Sequence, residues 1–276
     1  MQNKGVKHDI HIHTHLSACA SREAFIKDYV PIAKSLGLKT IGFADHSWEA
    51  SIEGASDWYK PQTYERLAAR KEEIKEIDTE GITILLGAEG EYASEILGLN
   101  EKSLSLLDYI IVPHSHTHMK GFVLPTDCID NPKKHAEYLV KSFISLCNHE
   151  KRNLFFGIAH PMWPIGVCLT AAEDIYSYIT DEELKTIALT AAKNDIAIEV
   201  NISCVINVIY ATDGKRCCYN RFYDACKSAG CKFFLGSDAH STEAFIERHE
   251  EASQVLNYLG LDESDFTVAK LQKPNE

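Results

Sequence analysis

The stretch Asp9-Ile10-His11-Ile12-His13-Thr14 alternates histidine with an apolar residue. Residues i and i+2 of a β-strand face the same side, roughly 6–7 Å apart along it. Two imidazoles placed this way can tip onto one cation. The same arrangement recurs along the chain. His46 follows the apolar run Thr40–Phe43, His114 and His116 follow Tyr109–Val112, and His160 follows Leu154–Ile158. Asp238 and His240 follow Lys232–Leu235, and Glu89 and Glu91 follow Ile82–Ala88. In a barrel of parallel strands the C-terminal strand ends converge on one face, where active sites sit. Imidazoles and carboxylates gathered there are metal ligands by type.

Seven strands are predicted: His8–Ile12, Thr40–Phe43, Ile82–Ala88, Tyr109–Val112, Leu154–Ile158, Ile196–Asn201 and Lys232–Leu235. Helical patterns between them cover Arg22–Ser35, Thr63–Ile77, Pro132–Asn148, Asp181–Asn194, Tyr219–Ala229 and Thr242–Tyr258. This alternation predicts an α/β fold with a parallel sheet. Asn131 before Pro132 reads as an N-cap, and Thr180 with Glu183 has capping-box spacing. No linker or repeat divides residues 1–276, so one domain is expected. The long connections Ser47–Gln62, Thr117–Asp130 and Pro161–Thr180 each follow a histidine-bearing strand end and are expected to wall the pocket.

Composition narrows the partners. A net charge of −12 argues against nucleic acid, since a phosphate backbone calls for Lys and Arg. No window of about eighteen apolar residues offers a membrane span. Nine cysteines, odd in number and without a C-x-x-C pair, do not form a disulfide framework. Cys147, Cys204, Cys226 and Cys231 read as reduced core residues, and the expected location is the cytoplasm. The vicinal pair Cys217–Cys218 has donors for a soft metal, but a motif this short is a weak signal. There is no serine-hydrolase elbow, phosphate loop or dinucleotide fingerprint.

Among the site candidates, His46 is read as a ligand with Asp45 supporting it, and Glu89 as a carboxylate bridging two cations. Glu91 either replaces Glu89 or orients a histidine. His116 is preferred to His114 as a ligand, with His118 a wall or surface residue. His15 continues the first alternation and is a further ligand candidate. Glu199 and Asn201 end a strand and orient ligands or substrate, or close the barrel. His135, His149 and His249, flanked by charged residues in predicted helices, are expected at the surface.

Six motifs in order resemble the PHP (polymerase and histidinol phosphatase) superfamily of metal-dependent phosphoesterases, histidinol phosphatases in particular. They are D-x-H-x-H-T at Asp9–Thr14, D-H at Asp45–His46, G-x-E at Gly87–Glu89, A-H-P at Ala159–Pro161, E-x-N at Glu199–Asn201 and G-S-D-A-H at Gly236–His240. The resemblance runs from Asp9 to about Leu256 and implies a distorted TIM-like (β/α)7 barrel holding two or three divalent ions, zinc, iron or manganese. It implies His11, His13, Glu89 and Asp238 around the first ion, and Glu89, His116 and His160 around the second. His46 and His240 would share the third with a residue five or six positions after His13. There this chain has Ala18 and Cys19, leaving Cys19 or His15 as the replacement.

The expected reaction is hydrolysis of a small-molecule phosphomonoester, histidinol phosphate among the candidates, by hydroxide generated between the metals. Asp238 or His240 would protonate the leaving oxygen. Arg216, Arg221, Lys120 and Lys215 are the basic candidates for holding phosphate. The competing readings are phosphodiester or amide hydrolysis on the same metals, and a non-catalytic metal-dependent binding module. A zinc amidohydrolase barrel typically uses a carboxylated lysine, and no lysine lies at a predicted strand end.

Overall fold

A computed structural model of the chain describes residues 5–269. Seven parallel strands run in sequence order: β1 (His8–Ile12), β2 (Thr40–Ser47), β3 (Thr83–Gly90), β4 (Tyr109–Pro113), β5 (Gly157–Ala159), β6 (Ala197–Asn201) and β7 (Phe233–Gly236). The sheet curls back on itself just past β7. There Asp238 N donates to His11 O (2.8 Å) and His13 N to Ala239 O (2.9 Å). The architecture is therefore a distorted TIM-like barrel in the α/β class, nearly closed, with helices around it.

Each crossover carries helix. α1 (Ile26–Ser35) joins β1 to β2, and α2 (Tyr64–Ala68) with α3 (Arg70–Glu76) joins β2 to β3. A two-residue strand pair, Tyr92–Ala93 with Ile96–Leu97, and α4 (Glu101–Ser105) precede β4. α5 (Pro132–Cys147) leads to β5, α6 (Leu169–Ser177) and α7 (Asp181–Lys193) to β6, and α8 (Ile202–Ala211) and α9 (Cys218–Ser228) to β7. α10 (Thr242–Leu259) follows β7.

Both expected caps form: Asn131 accepts from Lys134 N, and Thr180 and Glu183 exchange bonds. Three differences stand against the sequence reading. Pro161–Thr180 is not all connection, because α6 occupies half of it. Leu154 belongs to a 3₁₀ turn rather than to β5. Finally, α8 was not foreseen; its sequence, ISCVINVIYA, is mostly apolar, with only a narrow exposed stripe at Asn207, Tyr210 and Ala211.

A cluster drawn from all seven strands fills the barrel: Ile10, Ala44, Leu85, Tyr109, Ile111, Ala159, Ala197 and Phe234. Tyr109 spans it and donates to Ile10 O at 2.6 Å. Larger clusters pack beneath the helices. No helix among the described residues is long and apolar enough to cross a membrane.

Candidate metal centre

The strand ends deliver the expected convergence. His11 comes from β1, with His13 directly after it, His46 from β2 and Glu89 from β3. His116, His160 and the Asp238–His240 pair lie just beyond β4, β5 and β7. Parallel strands in register allow this because each ends at the same level of the barrel. Two of these residues sit in the left-handed region, His160 at φ 26° and Asp238 at φ 54°. For non-glycine residues that conformation is costly, and it concentrates at functional sites. Gly236 is required for a different reason. A Cβ there would lie 2.0 Å from Glu199 Oε1 and 2.6 Å from His11 Cβ.

Glu89, 1% exposed, sits at the centre. Five imidazole nitrogens surround its carboxylate: His160 Nε2 at 2.8 Å, His46 Nδ1 at 3.0 Å, His11 Nε2 at 3.4 Å, His13 Nε2 at 3.5 Å and His116 Nε2 at 3.6 Å. Asp238 Oδ1 approaches His13 Nε2 at 3.2 Å and His11 Nε2 at 3.7 Å. The two Nε2 atoms of His11 and His13 are themselves only 3.1 Å apart.

The outer partners decide which nitrogens carry protons. His11 Nδ1 faces Glu199 Oε1 at 2.7 Å and His116 Nδ1 faces Glu91 Oε2 at 2.6 Å. His13 Nδ1 meets Ser17 Oγ at 2.9 Å, and that hydroxyl gives its own proton to Asp45 at 2.6 Å. His160 Nδ1 meets Ser115 Oγ at 2.9 Å, whose proton goes to His160 O at 2.8 Å. In all four the Nδ1–H is the donor, so the neutral ring points an Nε2 lone pair inward. His240 Nδ1 likewise faces Asp238 O at 2.9 Å. Lone pairs of the neutral rings therefore face carboxylate oxygens and one another in a buried place, a conflict relieved either by protons on the rings or by a bound metal ion. His46 Nδ1 and Glu89 Oε2 are buried without a hydrogen-bond partner, as ligands waiting for a metal would be. Among the described residues, three groups have ligand atoms within 4.8 Å of one another: His11, His13 and Glu89; His46, Glu89 and His116; and His13, His46 and His240.

The charges respond accordingly. Burial alone would raise the Glu89 and Asp238 pKa values, but neighbouring histidines hold both well below the usual carboxylate range. Burial would lower His11 and His116; Glu199 and Glu91, respectively, with Glu89 and Asp238 behind them, instead push His11 well up and His116 to about 9. Burial pulls His13 well down.

The remaining candidates separate cleanly. His114 is spent elsewhere: its Nδ1 bonds Ser142 Oγ (2.9 Å) and its Nε2 accepts from Met162 N (3.0 Å). With both nitrogens engaged, burial lowers its pKa to about 3. Glu91 orients His116 and also accepts from Tyr59 OH at 2.7 Å. Asp45 corrects the reading that it orients His46. It instead ties down the Thr14–Ser17 turn, accepting from Thr14 N and Oγ1 and from Ser17 N and Oγ. His15 turns away, towards Ala24 O and Arg70 Nη1, while Cys19 lines the cavity.

Arg216 pairs with Asp224 and Arg221 with Asp181, and neither they, Lys120 nor Lys215 line the cavity. Two helical histidines expected at the surface are buried. His249 Nε2 bonds the fully buried Asp9 at 2.8 Å, and His135 lies on the buried face of α5 with its pKa lowered by burial to about 4. His149 is half-buried.

Sequence reasoning did not single out Ser17, Ser115 or Trp58. Ser115 lies between the two histidines of its run, and only the fold shows that it serves His160. Above the cluster opens a cavity of about 500 Å³. Its walls include Trp58, His118, Met119 and Ile165, one or two from each of the three long connections.

A barrel with buried imidazoles and carboxylates converging at the strand ends defines a metal-dependent hydrolase. Residues 9–203 match the family model described as "PHP domain". A "Probable phosphatase" of Shewanella frigidimarina (strain NCIMB 400) is 23% identical over 255 residues, spanning 91% of this chain and 85% of that protein. Among solved structures, the histidinol phosphate phosphatase of Lactococcus lactis subsp. lactis Il1403, complexed with zinc, L-histidinol and phosphate, superimposes with a TM-score of 0.62. It has 16% identity over 92% of this chain and 94% of its own. The chain belongs to the PHP family and is a hydrolase of the phosphatase type.

Proposed function

We propose that residues 1–276 form one barrel domain that hydrolyses a small-molecule phosphomonoester with two or three divalent ions, zinc, iron or manganese. The observation that carries this reading is the set of inward lone pairs around Glu89, a donor set of neutral imidazoles and carboxylates that suits such ions. His11, His13, Glu89 and Asp238 would hold one ion, and Glu89, His46, His116 and His160 a second. His13, His46 and His240 also cluster, but an imidazole nitrogen binds a single ion, so a third ion at His240 would have to draw His13 or His46 from the other two. Ions bound here supply a nucleophile at neutral pH, by lowering the pKa of water from 15.7 toward about 7, and offset charge on the phosphoryl oxygens.

The protein's own part is arrangement. Glu199, Glu91, Ser17 and Ser115 fix the ring tautomers, so no reorganisation is needed when the ester arrives. Asp238 and His240 both line the cavity; Asp238 is held ionised by its neighbouring histidines, which leaves the partly open His240 as the group placed to hand a proton to the leaving oxygen. Phosphate held by the ions explains why the basic candidates are not needed on the wall.

The test is release of inorganic phosphate from a panel of monoesters by metal-loaded protein. Histidinol phosphate belongs in the panel because the Lactococcus lactis protein holds L-histidinol and phosphate. Turnover of at least one monoester, abolished by chelation, is expected. No turnover at full metal occupancy would favour a binding module.

A further inference from the structure

The cavity over the metal centre has two unlike halves. Its floor is the ligand cluster. Its remaining wall is Cys19, Trp58, Tyr59, His118, Met119 and Ile165. None of these is Lys, Arg, Asp or Glu. The nearest cations by sequence are not offered: Lys60, beside the aromatic pair, is held by Asp57 at 2.6 Å, and Lys120, beside Met119, is exposed off the wall. The Tyr59 hydroxyl is already donated to Glu91, so this residue presents its ring.

Trp58 is 36% exposed at the mouth, an unusual position for a large aromatic side chain. It is braced rather than loose. Its ring stands edge-to-face on Tyr59 (centroids 4.8 Å apart, 88°) and against His46 (5.0 Å, 68°). A braced aromatic with an open side, sharing the cavity wall with Met119 and Ile165, offers surface for an apolar body. A second phosphate or carboxylate there would lose its water without gaining a cationic partner, and an ammonium would find no carboxylate outside the metal cluster.

Resting on the phosphomonoesterase reading, we infer that the leaving group is an uncharged aromatic or alkyl alcohol, held by Trp58, Met119 and Ile165. The substrate class is then the monophosphate of an apolar alcohol, and bisphosphates and amine-bearing phosphates are discriminated against. Trp58 and Ile165 are specificity-determining residues.

The experiment compares kcat/KM of metal-loaded protein at pH 7.5, where ordinary thiols and imidazoles are largely uncharged. The esters are benzyl phosphate, glycerol 3-phosphate, histidinol phosphate and fructose 1,6-bisphosphate. Benzyl phosphate is expected to lead each of the others by at least tenfold. Trp58→Ala should erase most of that lead through KM, with metal content unchanged, and Trp58→Phe should restore it. Ile165→Lys, which places a cation on the wall, should raise kcat/KM for the bisphosphate. Preference for the bisphosphate or for histidinol phosphate, or a lead that survives Trp58→Ala, would overturn the inference while leaving the phosphatase reading intact. Failure to hydrolyse any ester would instead remove the phosphatase reading on which it rests.

Discussion

The choice between His114 and His116 shows how neighbours decide which imidazole is free to bind a metal. Both follow β4, two positions apart, and both are buried. His114 spends both nitrogens on Ser142 and Met162, whereas His116 spends one on Glu91 and turns the other to Glu89. The difference lies in the neighbours, which spacing alone does not reveal. Because Glu91 fixes the His116 ring, Glu91→Gln should weaken metal binding by about 10- to 100-fold while leaving the fold intact, as measured by competition with a chelator. Unchanged affinity would mean that the carboxylate does not set the tautomer. Away from the centre, His135 is held neutral by burial, with its pKa lowered from 6.5 to about 4. Between those values the unfolded chain binds more protons than the folded one, so this group subtracts stability as pH falls through that window. His135→Leu should therefore lose less stability than the parent between pH 6.5 and 4, read from denaturant midpoints of metal-free protein. Parallel pH profiles would contradict that assignment.

Elements were legible where local chemistry was strong. β1 covers His8–Ile12 as predicted, and the Asn131 and Thr180 caps start their helices as their side chains dictate. α8 escaped because its solvent-facing stripe, Ser203, Asn207 and Tyr210, carries only two polar residues within a run that otherwise reads as apolar. Its start did carry a signal, since Asn201 ends β6 and its side chain accepts from Cys204 N at 2.9 Å. The same residue's Nδ2 approaches Glu199 and Asp238 at 3.3 and 3.4 Å, joining the cap to the site. Asn201→Ala should cost about 1 kcal/mol through the cap alone. A loss near zero in chemical denaturation would show that the cap is not holding α8. His249 was misjudged by its sequence neighbours Arg248 and Glu250. At helical spacing it belongs with Phe245, Ala252 and Leu256, all buried along α10. The 3.6-residue period was the better guide there.

At the scale of the molecule, barrel closure turns scattered motifs into one site. Asp9 and His249 are 240 positions apart yet bonded, and His11 and Glu199 meet across 188. The convergence of these side chains was readable because parallel strands all present their C-terminal ends to one face. The orienting serines, the engagement of His114 and the apolar wall were not, because each depends on which crossovers lie side by side. The central claim is that the strand-end cluster holds divalent ions through His11, Glu89 and Asp238. Its most direct test is metal stoichiometry by elemental analysis, on purified wild type and on His11→Ala and Asp238→Ala, each checked for native circular dichroism. Two or three ions per chain are predicted for the wild type, with at least one lost in each folded variant. Full stoichiometry retained in both variants would contradict the assignment.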